Sequence, residues 1–165
     1  MDFTKQEYFC ASVYKNQDFI HVGTYSGYSS IAIDLDGIQT VLPLDVSDEE
    51  LGQVTLLALS KSRVIDVSEI ETFLNRDNIK ERYDAWVADL MSKYNYKTKR
   101  ALFKNMMQCS LRISDGILTI SPTRHEKLEG WGWEGISDDD KVVLSVNSTT
   151  EEIGAGLRLA FSRCR

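Results

Sequence analysis

The chain has 165 residues, 42% of them hydrophobic and 27% charged, with a formal net charge of −6 at pH 7. That length predicts one domain, residues 1–165, with an ordinary apolar core; the aromatic content argues against disorder, no apolar run reaches the ~20 residues of a membrane helix, and the acidic balance opposes binding to nucleic-acid phosphates. The opening MDFTKQEYFC lacks the basic-then-apolar pattern of a secretory signal, and the odd count of Cys10, Cys109 and Cys164, with no C-x-x-C among them, argues against a disulfide framework or a zinc site, so the expectation is a cytoplasmic protein with reduced thiols and no metal or cofactor.

In chain order, residues 7–15 and 18–26 are rich in aromatic and β-branched residues, break at Asn16-Gln17, and read as a hairpin. Residues 29–35 alternate apolar and polar, and Asp36-Gly37 turns them into 38–44, which is read as their partner strand. Ser47 caps a helix over 48–63. A short helix follows at 67–75, and Asn78 with Glu81 opens another reaching Tyr94, with Ile79, Tyr83, Trp86, Val87, Leu90 and Tyr94 on one face. Residues 100–106 alternate and read as a strand. Residues 109–114 and 117–122 flank Asp115-Gly116 as a hairpin, and 141–146 is the last strand. A second capped helix, opened by Thr149, fills 150–165. Hairpins, helices, hairpins and a helix make an α+β fold, a mainly antiparallel β-sheet with helices packed on one face.

The two capped helices are nearly the same text. DEELGQVTLLALSKSR (48–63) and TEEIGAGLRLAFSRCR (150–165) share Glu49/Glu151, Glu50/Glu152, Gly52/Gly154, Leu57/Leu159, Ala58/Ala160, Ser60/Ser162 and Arg63/Arg165. The register extends back through TVLPLDVS and VVLSVNST, so a β–α unit is repeated at 39–63 and 141–165. The paired glutamates complete a capping box and suit the positive helix end, while the late basic residues suit the negative one. The repeat is therefore read as structural rather than catalytic. In the second helix Ile153, Leu157, Ala160, Phe161 and Cys164 form one apolar stripe. The first adds Val54, Leu56 and Leu57, which predicts burial on more than one side.

No phosphate loop, dinucleotide fingerprint, zincin motif or nucleophile elbow is present. His21 and His125, with Lys104 or Lys127, are the residues that could run acid–base cleavage of RNA, but nothing in the sequence brings them together, and no catalytic residue is assigned. Charge is uneven: residues 1–77 carry 13 acids against 5 bases, and residues 78–165 carry 12 against 14. An acidic surface steers basic proteins toward it. The segment TRHEKLEGWGWEGISDDDK (123–141) reads as a connection of unusual length, which in a compact domain signals function. It holds Trp131 and Trp133 among glycines, with Glu126, Glu129, Glu134, Asp138, Asp139 and Asp140 around them. Aromatics ringed by acids describe a protein-binding hot spot better than a nucleic-acid platform, which needs Lys and Arg. The alternative is that one or both tryptophans fold back onto the core. A further acidic candidate surface lies around Asp34, Asp36, Asp45 and Asp48.

The phrases YSSI, LPLDVSDEELGQVTLLALSKSR, YDAWVADLMSKYNYKTKRALFKNM, HEKLEGW and EEIGAGLRLAFSRCR together resemble the bacterial CdiI contact-dependent growth inhibition immunity proteins, over roughly Phe19 to Arg165. The resemblance implies a small cytoplasmic protein that binds the C-terminal toxin domain of a cognate CdiA effector and blocks it. Such toxin domains are often nucleases, and a basic nuclease would suit the acidic surplus. No catalytic set is carried over. The expectation is a non-enzymatic inhibitor whose toxin-binding residues are Trp131, Trp133, Glu126, Glu129, Asp138, Asp139 and Asp140. The alternatives are a nucleic-acid-binding module and a small RNA-cleaving enzyme.

Overall fold

A computed structural model describes all residues, 1–165. One sheet organises it. β1 (Tyr8–Lys15) and β5 (Met107–Ser114) pair antiparallel at the centre. Outward from that pair lie β2 (Ile20–Tyr28) on one side and β6 (Ile117–Pro122) on the other. Beyond them come β4 (Gln39–Leu42) on β2 and β9 (Val142–Ser145) on β6. β3 (Ser30–Ile33) also pairs with β2. All these pairings are antiparallel, and the fold is α+β as the sequence predicts.

The repeat is larger than the sequence suggests. Each half is a hairpin, a third strand and a helix: β1, β2, β4 and α1 (Asp48–Ser60), then β5, β6, β9 and α5 (Thr150–Ser162). The strand order reads the same outward from β1–β5 in both directions, so the halves are related by a pseudo-two-fold axis. The helices obey the same symmetry. A Cβ on Gly52 would stand 1.8 Å from the Thr150 carbonyl oxygen, and one on Gly154 would stand 2.0 Å from that of Asp48. Each glycine thus meets the residue 102 positions beyond, or before, the other's contact. The shared glycines let two helix backbones cross in contact at their first turns.

Both caps form. Ser47 Oγ accepts from Glu50 N at 3.1 Å, and Thr149 Oγ1 from Glu152 N at 3.1 Å. Only the second copy completes the box, with Thr149 N donating to Glu152 Oε2 at 3.0 Å. α1 buries Leu51, Leu56, Ala58 and Leu59, whereas Leu57, expected inside, is substantially exposed.

Helices cover both faces of the sheet, not one. Strand side chains alternate, and β2 shows the consequence. Val22 and Thr24 face α1, with Thr24 Oγ1 donating to the Ala58 carbonyl at 2.7 Å. His21 faces the other way and accepts from Trp86 Nε1 of α3 (Arg76–Tyr94) at 3.1 Å. The first core joins α1 and α5 to Phe9, Val13, Leu111 and Ile120; the second joins Trp86, Val87 and Leu90 to Tyr14, Phe19 and Ile33. Both sheet faces are apolar enough at this end to demand cover.

Three local expectations change. Residues 99–103 form a helical turn, α4 (Lys99–Phe103), capped by Thr98 Oγ1, which accepts from Ala101 N at 3.1 Å. Its buried Leu102 and Phe103, with Met106, fall at i, i+1 and i+4, a helical set that a two-residue period cannot bury on one side. β3 and β4 are not partners; they follow one another along the same edge of β2, separated at Thr24, which donates from N to the Ile38 carbonyl and accepts from Asp34 N. α2 (Val67–Phe73) forms as expected, but α3 starts earlier than Asn78 because Asn75 caps it, accepting from Asp77 N at 2.9 Å.

Candidate partner-binding surface

Residues 123–141 are ordered structure rather than a loop. β7 (Arg124–Lys127) and β8 (Gly130–Gly132) make a small hairpin, followed by a 3-10 turn at Asp138–Asp140. The segment is fastened at three points. Trp131 lies against the second core: its Nε1 donates to the Met106 carbonyl at 2.9 Å, its ring stacks on His125 at 5.1 Å, and it meets Tyr14 edge-on at 5.2 Å. Glu129 accepts from Tyr83 Oη at 2.7 Å and lies 3.5 Å from Lys99 Nζ. Burial and that carboxylate both raise the Tyr83 phenol above its ordinary range, so it remains a donor. At the base, His125 N donates to the Arg165 carbonyl at 2.8 Å and Arg165 N to that of Thr123 at 3.1 Å.

The candidate residues therefore divide. Trp131, Glu129 and Asp140 hold the segment in place. Asp140 accepts from Ser137 N at 2.9 Å and faces Arg165 at 3.7 Å; the backbone bond, then the arginine charge, keep its carboxyl below the usual range. Trp133 is 55% exposed, and Glu126, Glu134, Asp138 and Asp139 are exposed beside it in sequence. Asp138 pairs with Lys141 at 2.9 Å, a contact open to water. One tryptophan has folded back and one has not.

The acidic first half is less available than its count implies. Asp34 is 1% exposed, held by Arg63 Nε at 2.8 Å, Arg63 Nη2 at 3.0 Å and Ser26 Oγ at 2.6 Å. Asp48 accepts from Arg158 Nε at 2.8 Å, and Asp36 lies 3.6 Å from Arg63. Asp45 remains exposed. The crossing of α1 and α5 instead places exposed Glu49, Glu50, Glu151 and Glu152 at one end of the helix pair, none of them in an ion pair.

A cleft of about 370 Å³ escaped the sequence reading. It lies between α2 and α3, where Arg63 and Arg82 approach the Phe73 ring, the latter at 4.3 Å. Only the basic residue repeated at 63 and 165 hinted at it.

The two histidines do not form a reactive pair. His21 is 2% exposed beneath Trp86, and burial pushes its pKa down to about 4, so it is neutral in the folded state. His125 lies under Trp131, with Nε2 2.8 Å from the Leu128 carbonyl oxygen. No three His, Cys, Asp or Glu side chains are grouped as a metal site. No helix is long and apolar enough to cross a membrane.

A family model described as CdiI, CDI immunity protein, matches residues 9–164. The immunity protein CdiI-YPIII of Yersinia pseudotuberculosis serotype O:3 (strain YPIII) is 49% identical over 168 residues, 94% of each chain. Among solved structures, a protein of unknown function from Neisseria meningitidis matches with a TM-score of 0.94 and 42% identity, covering 100% of both chains. A chain of the CdiA-CT/CdiI toxin and immunity complex from Yersinia pseudotuberculosis matches with a TM-score of 0.90 and 46% identity, over 97% of this chain and 99% of that one.

Proposed function

The chain belongs to the CDI immunity protein family, and we propose that it binds and neutralises the C-terminal toxin domain of a cognate CdiA effector in the cytoplasm, as a stoichiometric inhibitor and not as an enzyme. One observation carries the reading: over 97% of its length the chain matches a protein solved in a complex of toxin and immunity protein. The toxin is a basic nuclease on this reading, since such a domain must approach phosphates and would be drawn to a chain of net charge −6. Immunity requires affinity near the nanomolar range, on the order of −12 kcal/mol. That affinity calls for a few desolvated anchors ringed by complementary charge rather than for a catalytic cleft.

The toxin-binding residues lie on 125–140. Trp133 is the anchor, because it presents an aromatic ring that the fold leaves in water. Glu126, Asp138 and Asp139 steer and rim the contact. Trp131, Glu129 and Asp140 position the segment. Association measured by surface plasmon resonance, with thermal melts as a folding control, tests this division. Trp133→Ala should melt like wild type and lose at least about 2 kcal/mol of binding. Neutralising Asp138 and Asp139 should mainly slow association and flatten its salt dependence. Trp131→Ala should lower the melting temperature as well as the affinity. Unchanged binding by a folded Trp133→Ala would move the interface elsewhere, first to the glutamates at the α1–α5 crossing. Failure of the unaltered protein to bind the C-terminal toxin domain of its cognate CdiA effector would reject the function itself. Retention on heparin would favour the nucleic-acid alternative.

A further inference from the structure

Two of the three cysteines meet across the first core. Cys109 is on β5, fully buried under α5. Cys164 lies two residues past the end of α5 and is partly exposed. Their sulfurs are 3.7 Å apart. Both backbones are fixed. Cys109 sits in the sheet register opposite Val13 on one side and Pro122 on the other. Cys164 N donates to the Phe161 carbonyl at 3.2 Å, and the next residue is tied to Thr123 and His125. The Cys164 sulfur also lies 3.5 Å from the Gln108 carbonyl oxygen. The pair is therefore held in place by main-chain bonds on both sides, and a disulfide length of about 2.05 Å requires the sulfurs, now 3.7 Å apart, to approach by about 1.65 Å. Cys10, on β1, has no sulfur within reach. The first repeat differs here. Ser62, 102 residues before Cys164, donates from Oγ to the Tyr25 carbonyl at 2.6 Å, so only the second half carries two thiols.

We propose that Cys109 and Cys164 are an oxidisable dithiol, closed by peroxide into a disulfide that fastens the C-terminal residues to the central strand. Cys164 reacts first. It is the more accessible thiol, and the hydrogen bond from Cys109 is the main influence lowering its pKa, while burial raises that of Cys109. The Cys164 thiolate attacks hydrogen peroxide, the O–O bond breaks, and hydroxide leaves, giving the sulfenic acid. Cys109 sulfur then attacks Cys164 Sγ, the S–O bond breaks, and the sulfenic oxygen leaves with the Cys109 proton as water, while the hydroxide from the first step takes up the proton that Cys164 gave up on ionising. Two thiols and one peroxide become one disulfide and two waters. A dithiol reductant reverses the step. The bridge closes a chain segment that includes β6, the hairpin, β9 and α5, and it pins the residues on which 123–141 is seated. The proposal does not depend on which partner the protein binds.

Full-length protein is treated with hydrogen peroxide, quenched, alkylated under denaturing conditions and mapped by mass spectrometry. The expected product is about 2 Da lighter than the reduced protein. It has a Cys109–Cys164 cross-linked peptide pair and Cys10 alone alkylated. Its melting temperature rises by roughly 5–10 °C and returns with dithiothreitol, as expected for a cross-link closing a long loop. Cys164→Ser abolishes the product, and Cys10→Ser leaves it intact. Three alkylatable thiols after oxidation, sulfinic adducts without a bridge, or a cross-link between molecules would each overturn the proposal. A bridge that lowers the melting temperature would overturn its locking role.

Discussion

The two halves of the molecule share a frame and diverge at one place. Both insert extra chain between the second and third strands of the repeat. In the first half the insertion is residues 29–38, containing β3; in the second it is 123–141, containing β7 and β8. The repeated arginine holds each. The Arg63 carbonyl accepts from Gly27 N at 3.1 Å and its guanidinium grips Asp34; the Arg165 carbonyl accepts from His125 N at 2.8 Å and its guanidinium faces Asp140. The holds differ in depth. Asp34 is inside the protein, whereas Asp140 is at the surface, and the second insertion relies on Trp131 instead. The first insertion has become part of the core, and the second stands on it as a presented surface. A repeated frame with different insertions separates what keeps the fold from what stands exposed at the surface.

The hardest test of this comparison is the helix crossing that both halves share. Gly52→Ala and Gly154→Ala each drive a methyl into the opposite backbone, which cannot rotate aside. Each should cost about 3 kcal/mol, at the upper end of overpacking effects. The double variant should cost clearly less than the sum, because helices already forced apart relieve the second contact. Urea denaturation with intrinsic fluorescence measures both. Full additivity, or a cost below about 1 kcal/mol for either, would break the symmetric crossing.

A smaller effect separates the two insertions. Asp34→Asn leaves Arg63 and Ser26 without a charged acceptor and should cost about 2 kcal/mol, since Arg63 is partly open to water and recovers some hydration. Asp140→Asn should cost distinctly less. The Asp34 loss should depend on pH. Burial alone would raise its carboxyl, but the Arg63 and Ser26 hydrogen bonds outweigh it and hold the group below the usual range. A depressed folded value means stability fully present above the unfolded pKa of about 3.9 and lost as pH falls through the folded value. The wild type and Asp34→Asn curves should therefore converge below about pH 4. Parallel curves down to pH 2 would show that the pair adds nothing through its charge.

Legibility followed the range of the interaction. The hairpins around Asn16-Gln17 and Asp115-Gly116, the caps and the duplicated helix are local signals, and all stand in the structure. Residues 100–106 read as a strand and residues 99–103 form a helix instead, because the strand reading followed their alternation while the residues that are buried, Leu102, Phe103 and Met106, have helical spacing. The pairing of β4 with β2 rather than β3 depends on Thr24, which no local pattern flags. Helices on both faces depend on His21 and Tyr14 pointing away from Val22 and Val13, and alternation alone does not say that the second face is covered. In the candidate surface, aromatic and acid density singled out the segment 123–141. It could not tell Trp131, which finds the Met106 carbonyl, from Trp133, which finds water.

The finest difference between the halves lies in their caps. Ser47→Ala and Thr149→Ala should each cost about 1 kcal/mol, because each leaves a helix N–H without its acceptor. The reciprocal arm exists in one copy only: Glu152 Oε2 accepts from Thr149 N, and Glu50 makes no such bond. Comparing Glu152→Ala with Glu50→Ala isolates that arm. Both substitutions remove an acid from the first turn of a helix of the same length, so the loss of favourable interaction with the helix dipole is shared. Both introduce the same good helix former. What remains is one charge-assisted hydrogen bond at the surface, so Glu152→Ala should be the more costly by about 0.5 kcal/mol. Stability at low ionic strength resolves that margin if both variants are measured against one wild-type curve. Equal losses would mean that the Glu152 bond exchanges freely with water, and that the two helices begin alike in energy although they differ in geometry.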